Sequence, residues 1–200
     1  MKKSIAPFIK GKRYSVVESE VGLDKGTVEK IFREHGYADF KWLSGSDFVV
    51  SEWVRVKCMF GCGAYGKGGC CPPNVPPVAE CRAFFQNYSA IAIFHFAKRV
   101  AKPEDRFAWS KDVNRKLLEL EKAVFLAGNH KAFLLFMDEC RLCEKCPGVR
   151  AECRNPKLAR PSPESLAVDV FTTVRKAGYP INVLADYKSE MNRYAFLLVE

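Results

Sequence analysis

Two hundred residues suffice for one domain with a hydrophobic core that needs no disulfides to stabilise it. Hydrophobic residues make up 48% of the chain and charged residues 28%, which excludes an intrinsically disordered or fibrous protein. No stretch approaches the ~18 apolar residues of a membrane-spanning helix, so we expect the chain, with its formal net charge of +9, to be soluble.

Helices and strands alternate in the first half of the predicted structure. Asp24 is suited to cap the first helix, and Gly36 to end it. A cysteine-rich segment follows the second predicted strand, and proline opens the helix after it. Helices are predicted for about 24–35 and 77–88, and strands for 38–43 and 49–57 with a hairpin turn at 44–46.

The second half continues this alternation and indicates the fold class. Two continuous apolar runs are typical of buried strands, and a long amphipathic segment separates them. We expect a single domain, 1–200, of the α/β or α+β class, in which helices pack on a mixed sheet and two cysteine-rich loops, at about 58–81 and 140–153, follow strand ends. Strands are predicted for 91–96, 132–138, 181–186 and 192–200, and helices for 103–127 and 162–177.

Nine cysteines are the unusual feature of the composition. The start of the chain, MKKSIAPFIKGKRYSVVE, has no long apolar run of the kind that a secretory leader carries, so we expect a cytoplasmic protein. The cytoplasm keeps thiols reduced, and an odd number of cysteines cannot all pair as disulfides. The clustered thiols therefore predict metal ligands.

The C-terminal cysteine set consists of Cys140, Cys143, Cys146 and Cys153. Three cysteines at intervals of two residues can wrap around one cube-shaped four-iron cluster, with a more distant cysteine as the fourth ligand. Zinc usually takes cysteines in separate pairs. This spacing favours a four-iron four-sulfur (4Fe-4S) cluster, with zinc and unligated thiols as the alternatives.

The N-terminal cysteine set holds five thiols, and its spacing is less specific. Glycines between Gly61 and Gly69 allow the backbone to approach a cluster closely. Adjacent side chains rarely converge on one ion, so one of Cys70 and Cys71 is spare, and we assign Cys70 as that residue. The predicted ligands of a second 4Fe-4S cluster are Cys58, Cys62, Cys71 and Cys81, with zinc or reactive thiols as alternatives.

These motifs together resemble a known family. The matching pieces are C-x3-C-x2-YGK ahead of CPP, then CRLCEKCP, ECRNPKLARPSPES and VFTTVRKAGYPINVL, within residues 25–200. They are similar to the predicted metal-binding protein family of anaerobic bacteria and archaea, domain of unknown function 2284. The resemblance implies cysteine-bound metal, as iron–sulfur clusters, and no established reaction. The extra Cys70 beside CPP departs from the pattern.

The two predicted 4Fe-4S clusters would each carry a charge of about −2 when oxidised. They lower the formal net charge of the protein from +9 to about +5. We expect electron transfer or a redox accessory role, with an acidic protein as the redox partner and neither membrane nor nucleic acid as a partner. The alternatives are a redox enzyme, using an open iron or a reactive cysteine such as Cys70, and a zinc-stabilised binding module. No catalytic residue is predicted, and His95, inside an apolar strand, is expected to be a satisfied core histidine.

Overall fold

The computed structural model describes residues 23–186 and 189–200. The predicted absence of a leader concerns residues 1–18, which lie outside these ranges. Within them, no helix combines the length and the apolar character needed to cross a membrane.

The described chain contains both helices and strands, interspersed along the sequence as predicted. Asp24 caps the first helix, since its side chain accepts a hydrogen bond from the Thr27 N–H, and Gly36 ends that helix in a left-handed conformation (φ 84°). The helices are Lys25–Glu34 (α1), Glu52–Gly61 (α2), Val78–Phe85 (α3), Asp105–Leu126 (α4) and Val170–Lys176 (α5); the strands are Phe40–Leu43 (β1), Ile91–Lys98 (β2), Phe133–Leu135 (β3) and Met191–Leu198 (β4).

The four strands form one sheet in the order β1-β2-β4-β3, and all three pairings are antiparallel. The structure confirms the α+β class, although the predicted mixed sheet is antiparallel throughout the described residues. Strands β2 and β3 run in the same direction with α4 between them in sequence, which is the pattern of a parallel pair. The C-terminal strand β4 separates them and pairs with both.

Both faces of the sheet are buried, which explains why its strands are continuous apolar runs. Ile93 and Phe196 lie on one face, in a core shared with α3 and α5. Phe94 and Leu197 lie on the opposite face, in a core shared with α1 and α4. Each of these four side chains is fully buried, and burial of one such side chain contributes about 1.5–3 kcal/mol to folding.

The predicted strand at 49–57 is wrong, because helix α2 covers most of it. Its valines favour a strand by intrinsic preference, yet only Val54 is buried on this helix. Ser51 stands at the N-cap with an extended backbone, and Glu52 supplies an acidic first turn. The Arg55 guanidinium donates to the Ser165 carbonyl oxygen at 3.0 Å, which fixes α2 against the segment before α5.

The predicted helix at 162–177 is divided in the structure. Its first part is a single 3-10 turn, Glu164–Leu166, which ends at Ala167 in a left-handed conformation (φ 62°). Val168 then pairs with Val50 across an isolated β-bridge, and α5 begins only after this bridge. Residues 181–186, all within the described part of the chain, form no strand.

His95 has hydrogen-bond partners at both ring nitrogens, as predicted, although it is partly exposed and does not belong to the core. Its Nδ1 lies 2.7 Å from Asp39 Oδ2, and its Nε2 lies 2.7 Å from Asn192 Oδ1. The ring also stacks on Tyr194, with centroids 5.2 Å apart. These contacts give the histidine a structural role at the pairing of β2 with β4.

Candidate metal centre

The two cysteine-rich segments follow different secondary-structure elements: one follows a strand, and the other starts at the end of a helix. The C-terminal segment follows β3, which ends at Leu135, so this segment does start beyond a strand end. The N-terminal segment starts at the end of a helix, because Cys58 lies inside α2 and Cys62 is its C-cap. The expectation that both loops follow strands is therefore wrong for the N-terminal one, for the same reason that the 49–57 strand is wrong.

Five cysteine side chains from the two segments line one narrow crevice. All four predicted ligands of the C-terminal set are among them. The fifth is Cys70, which the sequence left as the spare thiol of the other set. The five are Cys70, Cys140, Cys143, Cys146 and Cys153.

N–H groups surround the sulfur atoms of this crevice. The Gly69 N–H donates to Cys146 Sγ at 3.4 Å, and the Asn155 side-chain amide donates to Cys143 Sγ at 3.0 Å. The backbone N–H groups of Leu142 and Arg160 lower the pKa of Cys140. Donors aimed at sulfur stabilise a thiolate, which is the form of cysteine that binds metal.

Cys70 and Cys140 form a hydrogen-bonded pair in the crevice. A hydrogen bond between the two side chains is the main reason that the pKa of Cys140 lies below its ordinary value. The same bond, followed by burial, raises the pKa of Cys70. Arg150 favours the thiolate form of both residues. Cys70 is an extra thiol beside CPP, but nothing in its spacing predicts this contact.

Three cysteines of the N-terminal set act on one another. Burial raises the pKa of Cys58, and the neighbouring Cys62 raises it further. Burial also raises the pKa of Cys71 to about 12, with smaller contributions from Glu139, Cys58 and Cys62. Cys58 and Cys62 therefore lie near enough to Cys71 to affect its charge, as does Cys140 of the other set.

Cys81 lies in a different environment from its predicted partners. It is 1% exposed, belongs to the core beneath α3, and its thiol donates to the Pro76 carbonyl oxygen at 3.4 Å. Burial raises its pKa, and Arg55 lowers it. Cys81 and Cys70 both line a second cavity of about 410 Å³. The assignment of Cys81 as a ligand stays a prediction.

Asn74 joins the two cysteine segments, a role that no sequence motif predicts. Its side-chain amide donates to the Gly148 carbonyl oxygen at 2.8 Å and to the Gly68 carbonyl oxygen at 3.2 Å. Its Oδ1 accepts from the Arg150 N–H at 3.3 Å. One side chain thereby fixes the glycine-rich segment against the C-terminal loop.

Replacing Asn74 by alanine is expected to lower the free energy of unfolding by about 2 kcal/mol, because it removes two hydrogen bonds to the C-terminal loop and one within the glycine-rich segment. Urea denaturation followed by circular dichroism measures this loss. The control is Asn87→Ala, whose side-chain amide donates to the Ala83 and Phe84 carbonyl oxygens at the end of α3. Equal stability of the two variants would show that Asn74 does not clamp the segments.

The donor set fits a thiolate-bound metal centre. Among the described residues, no three His, Cys, Asp or Glu side chains are placed to hold one metal ion. A zinc ion, with Zn–S bonds of ~2.3 Å, requires its sulfurs close together, whereas a four-iron cube spreads them over its corners. The crevice holds only about 10 Å³, so its thiols would have to move apart to admit a cube.

Comparison with known proteins supports metal binding by this chain. The model of a family described as a predicted metal-binding protein (DUF2284) matches residues 41–199. No curated protein and no solved structure matches the chain. The match includes both cysteine-rich segments, nearly all of the sheet and the helices α2–α5.

Proposed function

The chain belongs to this family of predicted metal-binding proteins, and from that premise we propose that it carries two 4Fe-4S clusters and transfers electrons. Electron transfer here includes a role as a redox accessory to another protein. The proposed location is the cytoplasm, where thiols stay reduced and available to metal.

One observation carries the proposal: five thiols from two distant segments line a single crevice in which N–H groups donate to the sulfurs. Cys140, Cys143 and Cys146 have the spacing of a loop that wraps a cube. Cys153 is the predicted fourth ligand, and Cys70 is a competing one. We propose that this crevice opens around the first cluster.

The second cluster is proposed at Cys58, Cys62 and Cys71, with Cys81 as the predicted fourth ligand. Cys71 follows Cys70 directly, and consecutive Cα atoms are ~3.8 Å apart. The two cysteine sets therefore meet at one peptide bond. Two centres so close favour electron exchange between them, which suits a carrier better than a protein with one isolated metal ion.

The proposed redox partner is an acidic protein. The chain keeps a net charge of about +5 after two cubes of about −2 each are counted. Complementary charge speeds the encounter of two redox proteins and makes it dependent on salt. Neither a membrane nor a nucleic acid is needed for this role.

Anaerobic purification followed by iron and sulfide analysis tests the proposal. We expect about eight iron and eight sulfide ions per chain, a brown colour, and an electron paramagnetic resonance (EPR) signal after reduction with dithionite. The same protein treated with a chelator is the control, and it should lose both the colour and the signal. Zinc in place of iron and sulfide would select the zinc-stabilised binding module instead.

A further inference from the structure

The cavity of about 410 Å³ that Cys70 and Cys81 share has no role in the proposed carrier function. Its walls come from both cysteine-rich segments, from α3 and from β3. Cys70 also lines the crevice of the C-terminal set, so the cavity and the crevice have this residue as a common wall. The volume lies in the range of small-molecule sites, and a molecule bound there would lie against Cys70.

Most of the side chains around this cavity are apolar. Phe84 of α3 and Phe133 of β3 line it, with their ring centroids 5.9 Å apart in an edge-to-face arrangement. Val75 and Leu166 add aliphatic contacts. Walls of this kind suit the body of an organic molecule better than a bare inorganic ion.

The charged side chains of the cavity wall are positive. Arg150 and Arg160 line the cavity, and among the residues that the structure describes no Asp or Glu does. Arg160 is balanced from outside the cavity by Glu121, whose Oε1 lies 2.9 Å from its Nε. Arg150 forms no ion pair within the described part of the chain. The wall therefore keeps the charge of Arg150 unbalanced.

Contacts place both guanidinium groups beside other residues of the cavity wall. Nη2 of Arg150 donates to the Pro156 carbonyl oxygen at 2.9 Å, and Pro156 lines the cavity. The guanidinium carbon of Arg160 lies 5.3 Å from the centre of the Phe133 ring, which lines it too. The charged ends of the two arginines, and not only their aliphatic stems, therefore border this space.

Each guanidinium group keeps hydrogen-bond donors that the described residues do not use. Nε and Nη1 of Arg160 donate to Glu121 and to the carbonyl oxygens of Lys157 and Ala159, whereas its Nη2 has no acceptor among these residues. In the Arg150 guanidinium only Nη2 has an acceptor within the same part of the chain. Free guanidinium donors beside an apolar space suit a carboxylate, which accepts two parallel N–H bonds.

We propose that this cavity binds a small organic carboxylate, with the carboxylate group near Arg150 and Arg160 and the apolar body against Phe84 and Phe133. One negative charge balances the unpaired arginine, whereas a phosphate group would bring about two. The bound molecule lies against Cys70. Its effect on a cluster in the crevice rests on the proposed function, whereas its binding does not.

Anaerobic titration calorimetry tests the binding, with phenylacetate as the probe and its neutral amide, phenylacetamide, as the matched control. We expect saturable binding of phenylacetate and at least about tenfold weaker binding of the amide, because the amide lacks the charge that the arginines bind. No heat from phenylacetate, or equal affinity for the two compounds, would overturn the proposal.

Variants assign the binding to this cavity. Arg150→Gln removes the unbalanced charge and Val75→Phe narrows the apolar part, so each is expected to weaken phenylacetate at least about tenfold. Arg154→Gln is the control, because Arg154 is exposed on the same loop and does not line the cavity. Circular dichroism establishes that each variant is folded. Unchanged affinity in either folded cavity variant would contradict the proposal.

Absorbance spectroscopy separates this inference from the cluster proposal. If the protein carries clusters, phenylacetate should change the visible spectrum through its contact with Cys70, and Arg150→Gln should diminish that change. Binding without any spectral change in an iron-loaded protein would contradict the contact with Cys70. If the protein proves colourless, calorimetry still measures the carboxylate site, so the cluster proposal fails alone.

Discussion

Cys143→Ala is expected to leave the anaerobically purified protein with about half of the parent's iron and sulfide, that is about four of each per chain. Cys143 lines the crevice at the centre of the C-terminal set, and its sulfur accepts from the Asn155 amide. In the proposed arrangement, this substitution would leave one iron of the first cube without a thiolate and would not affect the second cysteine set. Iron and sulfide analysis, with the absorbance near 400 nm recorded alongside, measures the loss.

Cys81→Ala provides the matched comparison. Cys81 is the predicted fourth ligand of the second cluster, so we expect this variant to lose that cluster, with about half of the iron and sulfide, and to keep the first. Full iron content in Cys81→Ala would instead leave its thiol as a core side chain bonded to the Pro76 carbonyl oxygen. Full iron content in Cys143→Ala would refute the C-terminal cluster.

Cys70→Ala extends the same experiment to the competing ligand. The sequence-based assignment treats Cys70 as spare, which requires an unchanged spectrum in this variant. Because Cys70 contacts Cys140, we expect the absorbance spectrum of Cys70→Ala to differ from that of the parent protein. Comparison with Cys153→Ala then shows which of the two completes the C-terminal set.

Gly45→Ala is expected to destabilise the fold by at least about 3 kcal/mol. A Cβ atom at this position would lie 1.7 Å from the Phe85 carbonyl oxygen and 2.9 Å from the Tyr88 carbonyl oxygen. Both obstacles are backbone, so no side chain can move aside. The Gly45 N–H also donates to the Tyr88 carbonyl oxygen at 2.8 Å, and the displacement would break this bond.

Thermal unfolding followed by circular dichroism measures the effect as a fall of about 10 °C in the midpoint. Gly63→Ala is the control, because a Cβ there meets nothing within 4 Å. Equal midpoints for the two variants would mean that the end of α3 does not pack on the 45–47 turn as the structure has it.

The sequence predicted the elements whose signals are local. The strand at 91–96 and the long helix at 103–127 correspond to β2 and α4, because continuous apolar runs and capping residues directly reflect burial and helix ends. The antiparallel order of the sheet was not predictable, since the position of the last strand between β2 and β3 depends on contacts about 60 to 100 residues apart.

Helix α2 shows how tertiary contacts override local preference. Its valines resemble a strand, yet the contact of Arg55 with Ser165 joins residues 110 positions apart and favours the helix. Cys58 lies in this helix and Cys62 is its C-cap. Because a strand was predicted here, the N-terminal cysteine loop was expected to follow a strand, whereas it follows a helix.

In the candidate site, too, contacts within one segment were predictable from the sequence, whereas contacts between segments were not. The spacing of Cys140, Cys143 and Cys146 was enough to predict that they lie together, and they line one crevice. The proximity of Cys70 to them was missed, because spacing within a segment says nothing about contacts between segments. Asn74 was missed for a related reason: its hydrogen bonds reach residues up to 76 positions away.

Contact between Cys70 and Cys140 joins two points of the chain 70 residues apart. A metal centre bound to both sulfurs would act as a reversible crosslink, restricting the unfolded chain much as a disulfide does. Closing a loop of this length lowers the entropy of the unfolded ensemble by the equivalent of about 4 kcal/mol. Resistance to proteolysis would then depend on metal occupancy. Loss of the metal centre through oxidation would remove the crosslink and make the chain easier to cleave.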